Sequence, residues 1–441
     1  MNADKWIARA HEIGLDELEI YEQHETEREV SWFEGKVDSF VTSRILGTSL
    51  RATLGGKIAE ISLEQTDDGM MDSVLESLKE QAETVTGTET ICLRKPQDTV
   101  PVQNSRTFTR PSMDQIRSAM QETEKKILAA DPRIFMVSEI EWQDTKTSVQ
   151  ITNSLGLHVE DAGAAQVFVA GCAARQDDQV KNDYCIRVVE DIEKLDIDDF
   201  VKELTEGVLG KLGGTSVPTS SYKVILEKKA MTSLFSAMIP MFSGEDIGKG
   251  ISPLAGKLGQ QIFSDKITVV DDPRCLDALN VRNYDDEGCP TRRKVLVDKG
   301  VFSCMLHDTK SSMAAGTEST GNGFKHSYTS PVHITPYNCC ILPGERTLDE
   351  LCAEMGEGIV ITSFAGLHAG IDHVTADFSL QCAGYYVKNG VKDHSVTLIT
   401  AAGNFFDMMK NVTETASDLE WSYRTITCPS VAFRSLSISG T

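Results

Sequence analysis

Residues 16–62 read DELEIYEQHETEREVSWFEGKVDSFVTSRILGTSLRATLGGKIAEIS. ELEIYEQ (17–23) is followed by REVSWFEGKVDSFV (28–41), which turns at Glu34 and Gly35. ILGTSLRATLGGKIAEISL (45–63) turns at Gly55 and Gly56, a pair suited to a tight hairpin. The stretch is an antiparallel meander of short strands. Helical patterns flank it. Residues 2–13 place Trp6, Ile7, Ala10 and Ile13 on one face and close at Gly14. Residues 69–85 do the same with Met71, Val74, Leu75, Leu78 and Ala82.

A second unit repeats this helix-plus-meander order without an exact sequence repeat. Residues 88–110, rich in Thr, Pro and polar groups, form a connection. A helix begins near Pro111 and runs to about 129; strands follow at 133–143, 146–154 and 155–176, with a turn at Asn153, Ser154, Leu155 and Gly156. Residues 196–214 form a helix with an acidic first turn and a Gly-rich stop, the polarity the helix dipole favours. TSVPTSS (215–221) marks a boundary. Beyond it, hairpins turn at Lys299 and Gly300 and at Asn389 and Gly390, and residues 345–358 hold a short helix. The expected class is α+β, with a strand-rich C-terminal domain. Residues 1–215 form the N-terminal region, as units of roughly 1–90 and 111–215, and residues 216–441 the C-terminal domain.

The chain has 441 residues, 66 Asp and Glu against 43 Lys and Arg, and a net charge of −23. Such a surface repels phosphate backbones and anionic lipid, so nucleic acid and membrane surfaces are poor partners. No apolar run approaches the ~20 residues that span a bilayer. The eleven cysteines include no Cys-x-x-Cys pair, which favours reduced, buried thiols over a disulfide framework. A cytoplasmic protein is expected.

KKAMTSLFSAMIP (228–240) is a short helix whose Met231, Leu234, Phe235 and Met238 share one face. It carries no His or Cys, and Glu227 at its start is its sole carboxylate. Three other groups of residues bear on chemistry. His368, Asp372 and His373 could ligate a metal, but their spacing is that of a Gly-flanked loop. Asp285, Asp286 and Glu287 could bind Mg²⁺ or Ca²⁺, yet Gly288 and then Arg292, Arg293 and Lys294 follow; carboxylate–backbone and carboxylate–Arg bonds are the plainer reading. The segment with Gly321, Asn322 and Gly323 lacks the phosphate-loop order and reads as an extended loop edge able to take a peptide by strand addition. No Gly-x-Ser-x-Gly elbow is present.

DDEGCPTRRKVLVDKGVFSCMLHD (285–308), GNGFKHSYTSP (321–331), LPGERTLDELCAEMGEGIVIT (342–362), DFSLQCAGYYVKNG (377–390) and AAGNFFDMM (401–409) stand in an order and spacing that resembles the TldD/PmbA family, once described as modulators of DNA gyrase. The opening meander is similar too. The resemblance implies a cytoplasmic peptidase assembly of two homologous subunits acting on small or unfolded peptides. The TldD type carries zinc on a His-Glu-x-x-x-His helix with a downstream Cys; the PmbA type, also called TldE, lacks those ligands. Counted back without gaps from GKGISPLAGKLG (248–259), the zinc motif falls on Phe235, Ser236 and Pro240. Phe and Pro have no ligand atom, and Ser is a poor base. Cys428 matches a cysteine of PmbA-type chains rather than the zinc ligand. The resemblance therefore implies a PmbA-type subunit with no catalytic residue and no cofactor of its own, zinc residing in a TldD-type partner, in a heterodimer or a homodimer. Two alternatives stand beside it: a standalone peptide-binding homodimer, and a hydrolase centred near His368 and His373.

Overall fold

The computed structural model describes residues 1–86 and 92–440. Residues 88–91, the start of the expected connection, lie outside the described residues. The first unit contains α1 (Ala3–Glu12), β1 (Glu17–Phe33), β2 (Lys36–Leu54), β3 (Lys57–Glu64) and α2 (Met71–Thr84). Asn2 caps α1 by accepting from the Lys5 N–H. The β2–β3 turn needs two left-handed residues, and Gly55 and Gly56 supply them at φ 59° and 78°. The second unit contains α3 (Met113–Ala130), β4 (Ile134–Asn153), β5 (His158–Gln176), β6 (Gln179–Val188) and α4 (Ile197–Leu209).

The two units share one six-stranded sheet, ordered β3-β2-β1-β4-β5-β6. They join where β1 runs antiparallel to β4, from Glu19 opposite Asn153 to Trp32 opposite Ile140. The strands are longer than the expected short ones. Residues 17–33 are one strand, as are 134–153, and β6 was not foreseen. The reason lies in residues such as His24, which has no apolar alternation around it. It is paired with Leu46 on one side and Ser148 on the other. Backbone bonding on both edges thus sustains strand where the side-chain pattern lapses. Trp6, Leu18, Leu50, Leu75 and Leu78 form the core under the first unit. Trp142, Phe168, Ile116, Phe200 and Leu204 form that under the second, with Phe168 and Phe200 edge-to-face at 5.3 Å.

The C-terminal part begins with β7 (Ser220–Leu226), α5 (Lys228–Met238) and α6 (Gly244–Gly248). Next come β8 (Val269–Asp271), β9 (Lys294–Asp298), β10 (Val301–Phe302), α7 (Thr309–Ala315), β11 (Gly323–Phe324), β12 (His333–Ile334) and β13 (Cys339–Ile341). The chain finishes with α8 (Leu348–Met355), β14 (Gly358–Ala365), β15 (Asp377–Lys388), β16 (Val391–Asn404), α9 (Phe405–Lys410), β17 (Val412–Thr415), β18 (Ile426–Thr427) and β19 (Val431–Ser439). Strands run β16-β15-β14-β7-β19-β17, and β16 also pairs with β19, which closes five of them into a barrel. A smaller sheet, β10-β9-β8-β13-β18, packs in the same core. Helices grouped apart from largely antiparallel strands make the protein α+β. Among the described residues no helix is long and apolar enough to cross a membrane.

Candidate binding cleft

Leu226 ends β7 inside the barrel core and Glu227 turns the chain into α5. The expected apolar face of α5 is buried: Met231, Leu234, Phe235 and Met238 are at most 1% exposed. The opposite face, Lys228, Lys229, Thr232 and Ser233, lines a cleft of about 500 Å³. Its far wall is α4 and β6, through Glu203, Glu206, Asp183 and Arg187. The cleft therefore lies between the N-terminal region and the barrel, a common position for a ligand site.

Charged groups line this cleft in pairs, one of which, Glu203 with Lys229, spans its two walls. Glu203 bonds Arg187 at 2.6 Å and Lys229 at 2.8 Å. Lys228 meets Glu420 at 2.5 Å, and Lys211 meets Asp183 at 3.0 Å. Lys392 lies 4.9 Å from the Tyr385 ring centroid, a cation–π contact. Glu227 differs from the other acids: burial pushes its carboxyl up to about 7, against the pull of Lys229 and Lys228. Cys428 also lines the cleft, its N–H donating to Thr232 Oγ1 at 2.9 Å, and burial raises its thiol well above the ordinary range. Paired charges, hydroxyls and a carboxyl poised near neutrality suit the hydrogen-bonding groups of a polar ligand.

The residues singled out by sequence fall elsewhere. Phe235 is fully buried, its ring 6.5 Å from Phe405. Ser236 is half-buried, and Pro240 is exposed in the 3₁₀ turn that follows α5. None of the three lines the cleft. His368, Asp372 and His373 are exposed on the turn between β14 and β15. There Asp372 accepts from the Val374 and Thr375 N–H groups at 2.8 and 3.2 Å, which hold its carboxyl below the usual range.

Asp285, Asp286 and Glu287 are buried against the N-terminal sheet, away from the exposed histidine turn. Asp286 pairs with Arg282 at 2.6 Å, and Glu287 with Arg51 of β2 at 3.2 Å. Asp285 accepts from the Cys289 and Gly323 N–H groups at 2.8 and 3.0 Å. Gly288 has φ 74° and abuts Leu157, where a Cβ would come within 2.4 Å. Gly321, Asn322 and Gly323 are buried in the same network rather than forming an exposed edge: Asn322 is fully buried and donates to Asp271 at 2.8 Å. The loop edge expected from sequence thus has no free face for strand addition.

A metallopeptidase zinc would need converging His, Cys or carboxylate donors. Among the described residues no group of three or more such side chains is placed to hold a metal ion. The cleft face of α5 offers two ammonium groups, which repel a cation, and the residues present do not fit the group. Sequence reading missed Lys228, Lys229, Thr232 and Ser233. Their i, i+1, i+4, i+5 spacing, opposite the apolar stripe, was the signal available.

The fold and the cleft define an α+β protein whose cleft is lined, on the α5 side, by lysines and hydroxyls rather than by metal donors. Residues 106–212 match the PmbA/TldA metallopeptidase central domain and residues 219–440 the PmbA/TldA metallopeptidase C-terminal domain. The chain belongs to the PmbA/TldD family. It is 27% identical over 268 residues to the metalloprotease PmbA of Escherichia coli O157:H7, covering 60% of this chain and 57% of that protein. Across the first three curated relatives the match spans 50–64% of their length. A crystal structure from Thermotoga maritima, described as a proposed modulator of a DNA gyrase, is 27% identical with a TM-score of 0.88 over 99% of each chain. TldE from Thermococcus kodakarensis shares the fold, with a TM-score of 0.91 at 22% identity over 99% of this chain and 100% of that one.

Proposed function

We propose that this chain is a non-catalytic, PmbA/TldE-type subunit of a cytoplasmic metallopeptidase complex acting on small or unfolded peptides. The observation that carries the reading is α5. Its cleft face bears Lys228, Lys229, Thr232 and Ser233, and the positions aligned with a zinc motif hold Phe235, Ser236 and Pro240. In this reading a TldD-type partner supplies zinc and the general base. The cleft of this chain holds part of the peptide, its paired charges and Glu227 meeting main-chain and side-chain polar groups.

Reconstitution tests it. The purified chain is expected to show no peptidase activity and no stoichiometric zinc. A mixture with a His-Glu-x-x-x-His homologue is expected to form a one-to-one complex that cleaves peptides. Chelator-resistant cleavage by the pure chain, or stoichiometric zinc lost on His368→Ala or His373→Ala, would overturn it.

A further inference from the structure

The chain carries 66 Asp and Glu against 43 Lys and Arg, yet the cleft between α4 and α5 reverses that balance. Six of its lining side chains are basic and five are acidic. Three of the acids are already matched: Asp183 to Lys211, Glu203 to Arg187 and Lys229, and Glu420 to Lys228. Burial keeps a fourth, Glu227, near neutrality, with its carboxyl at about 7. Glu206 is the remaining acid of the lining.

Two of the bases stand apart. Among the described residues Lys392 and Arg424 form no ion pair. Each lies instead against a tyrosine of the same lining. Lys392 Nζ is 4.9 Å from the Tyr385 ring centroid, and the Arg424 guanidinium carbon is 5.6 Å from that of Tyr423. Arg424 Nε also donates to the Tyr423 hydroxyl at 3.2 Å. A ring face steadies a cation without cancelling its charge. Lys392 comes from β16 and Arg424 from the segment between β17 and β18, so the two reach the cleft from separate elements. They outnumber the unpaired Glu206 and keep N–H donors free for an anion.

We propose that Lys392 and Arg424 bind the free C-terminal carboxylate of a peptide lying in this cleft. The proposal rests on the reading of this chain as a peptide-holding subunit and names its substrate class, linear peptides with an unblocked C-terminus. The matched charges of the lining satisfy one another and give little grip on particular side chains. The terminal carboxylate is the anion that every linear peptide carries. The guanidinium offers a fork of donors to its two oxygens, and the ammonium offers a compact charge. The hydroxyls of Thr362 and Ser422, in the same lining, are placed for the polar groups of the residues before it.

Fluorescence anisotropy with the full chain tests this, using one labelled, unstructured peptide as the free acid and as the C-terminal amide. A third peptide is amidated and ends in Glu, which moves the carboxylate onto a side chain. The free acid is expected to bind about tenfold more tightly than either amide. Lys392→Gln and Arg424→Gln are each expected to weaken the free acid by about fivefold and to leave the amides unchanged. That change in the acid-to-amide ratio is one that a general loss of structure does not produce. Lys392→Arg keeps the charge and is expected to keep the preference. Equal affinity for acid and amide overturns the proposal and leaves the peptide-holding reading standing. So does an amide ending in Glu that binds as tightly as the free acid, or Gln variants whose acid-to-amide ratio matches the parent's. Failure of all three peptides to bind overturns the proposal and the peptide-holding reading together.

Discussion

Glu227 shows how one side chain's chemistry depends on what covers it. Its carboxyl stands at about 7 instead of the ordinary 4.5 because burial outweighs the nearby lysines. The native state therefore holds a proton that the unfolded chain has released, and stability falls as pH rises from 4.5 through about 7. Glu227→Gln removes that dependence. The variant is expected to exceed the parent chain by on the order of 1–2 kcal/mol at pH 8 and to match it at pH 4, read from denaturant unfolding. Lys294 carries a different burden. Its ammonium, 4% exposed, pairs at 3.0 Å with Asp271, which is fully buried. Lys294→Met leaves that carboxylate uncompensated and is expected to cost about 3–5 kcal/mol in the same measurement. The sequence displayed Glu227 as the one acid of an otherwise apolar and basic segment. Its near-neutral state needed the packed barrel and the lysines around it.

Helices were legible because their signals are local. α3 and α8 begin with capping boxes, Ser112 with Gln115 and Thr347 with Glu350, each satisfying two backbone donors. Thr347→Ala is expected to lower stability by about 1 kcal/mol, seen as a shift in thermal unfolding without loss of the barrel's circular dichroism. Hairpins with glycine pairs were legible for the same reason. Strand lengths were not: the polar run through His24 looks like a break, and only the neighbouring strands β2 and β4 keep it extended. On α5 the apolar stripe could be read from spacing, whereas the use of the opposite face as a cleft wall required α4 and β6 to stand across from it.

Over the whole molecule, a buried ionic network fastens the N-terminal sheet to the C-terminal part. Arg51 of β2 bonds both Glu19, at 2.6 Å, and Glu287, at 3.2 Å. Arg51→Met strands two buried carboxylates and removes the bridge. Amide exchange at residues 285–289 and 321–323 is expected to quicken by at least about tenfold, while α1 and α2 stay protected. Unchanged exchange would show that packing alone holds the two parts. The sequence by itself determined the α+β class, the helices with their buried faces, the hairpin turns and, through its motifs, the family. Those depend on local periodicity, caps and turn residues, or on ordered short motifs. Tertiary structure alone decided that 285–288 and 321–323 form one buried network, that Phe235 belongs to the core, and that Lys228 and Lys229 face a cleft. Burial and charge pairing arise from residues hundreds of positions apart, such as Arg51 and Glu287, and no local pattern records which of them will meet. KKAMTSLFSAMIP illustrates the division: its spacing set the buried stripe, and the elements opposite set the use of its polar face.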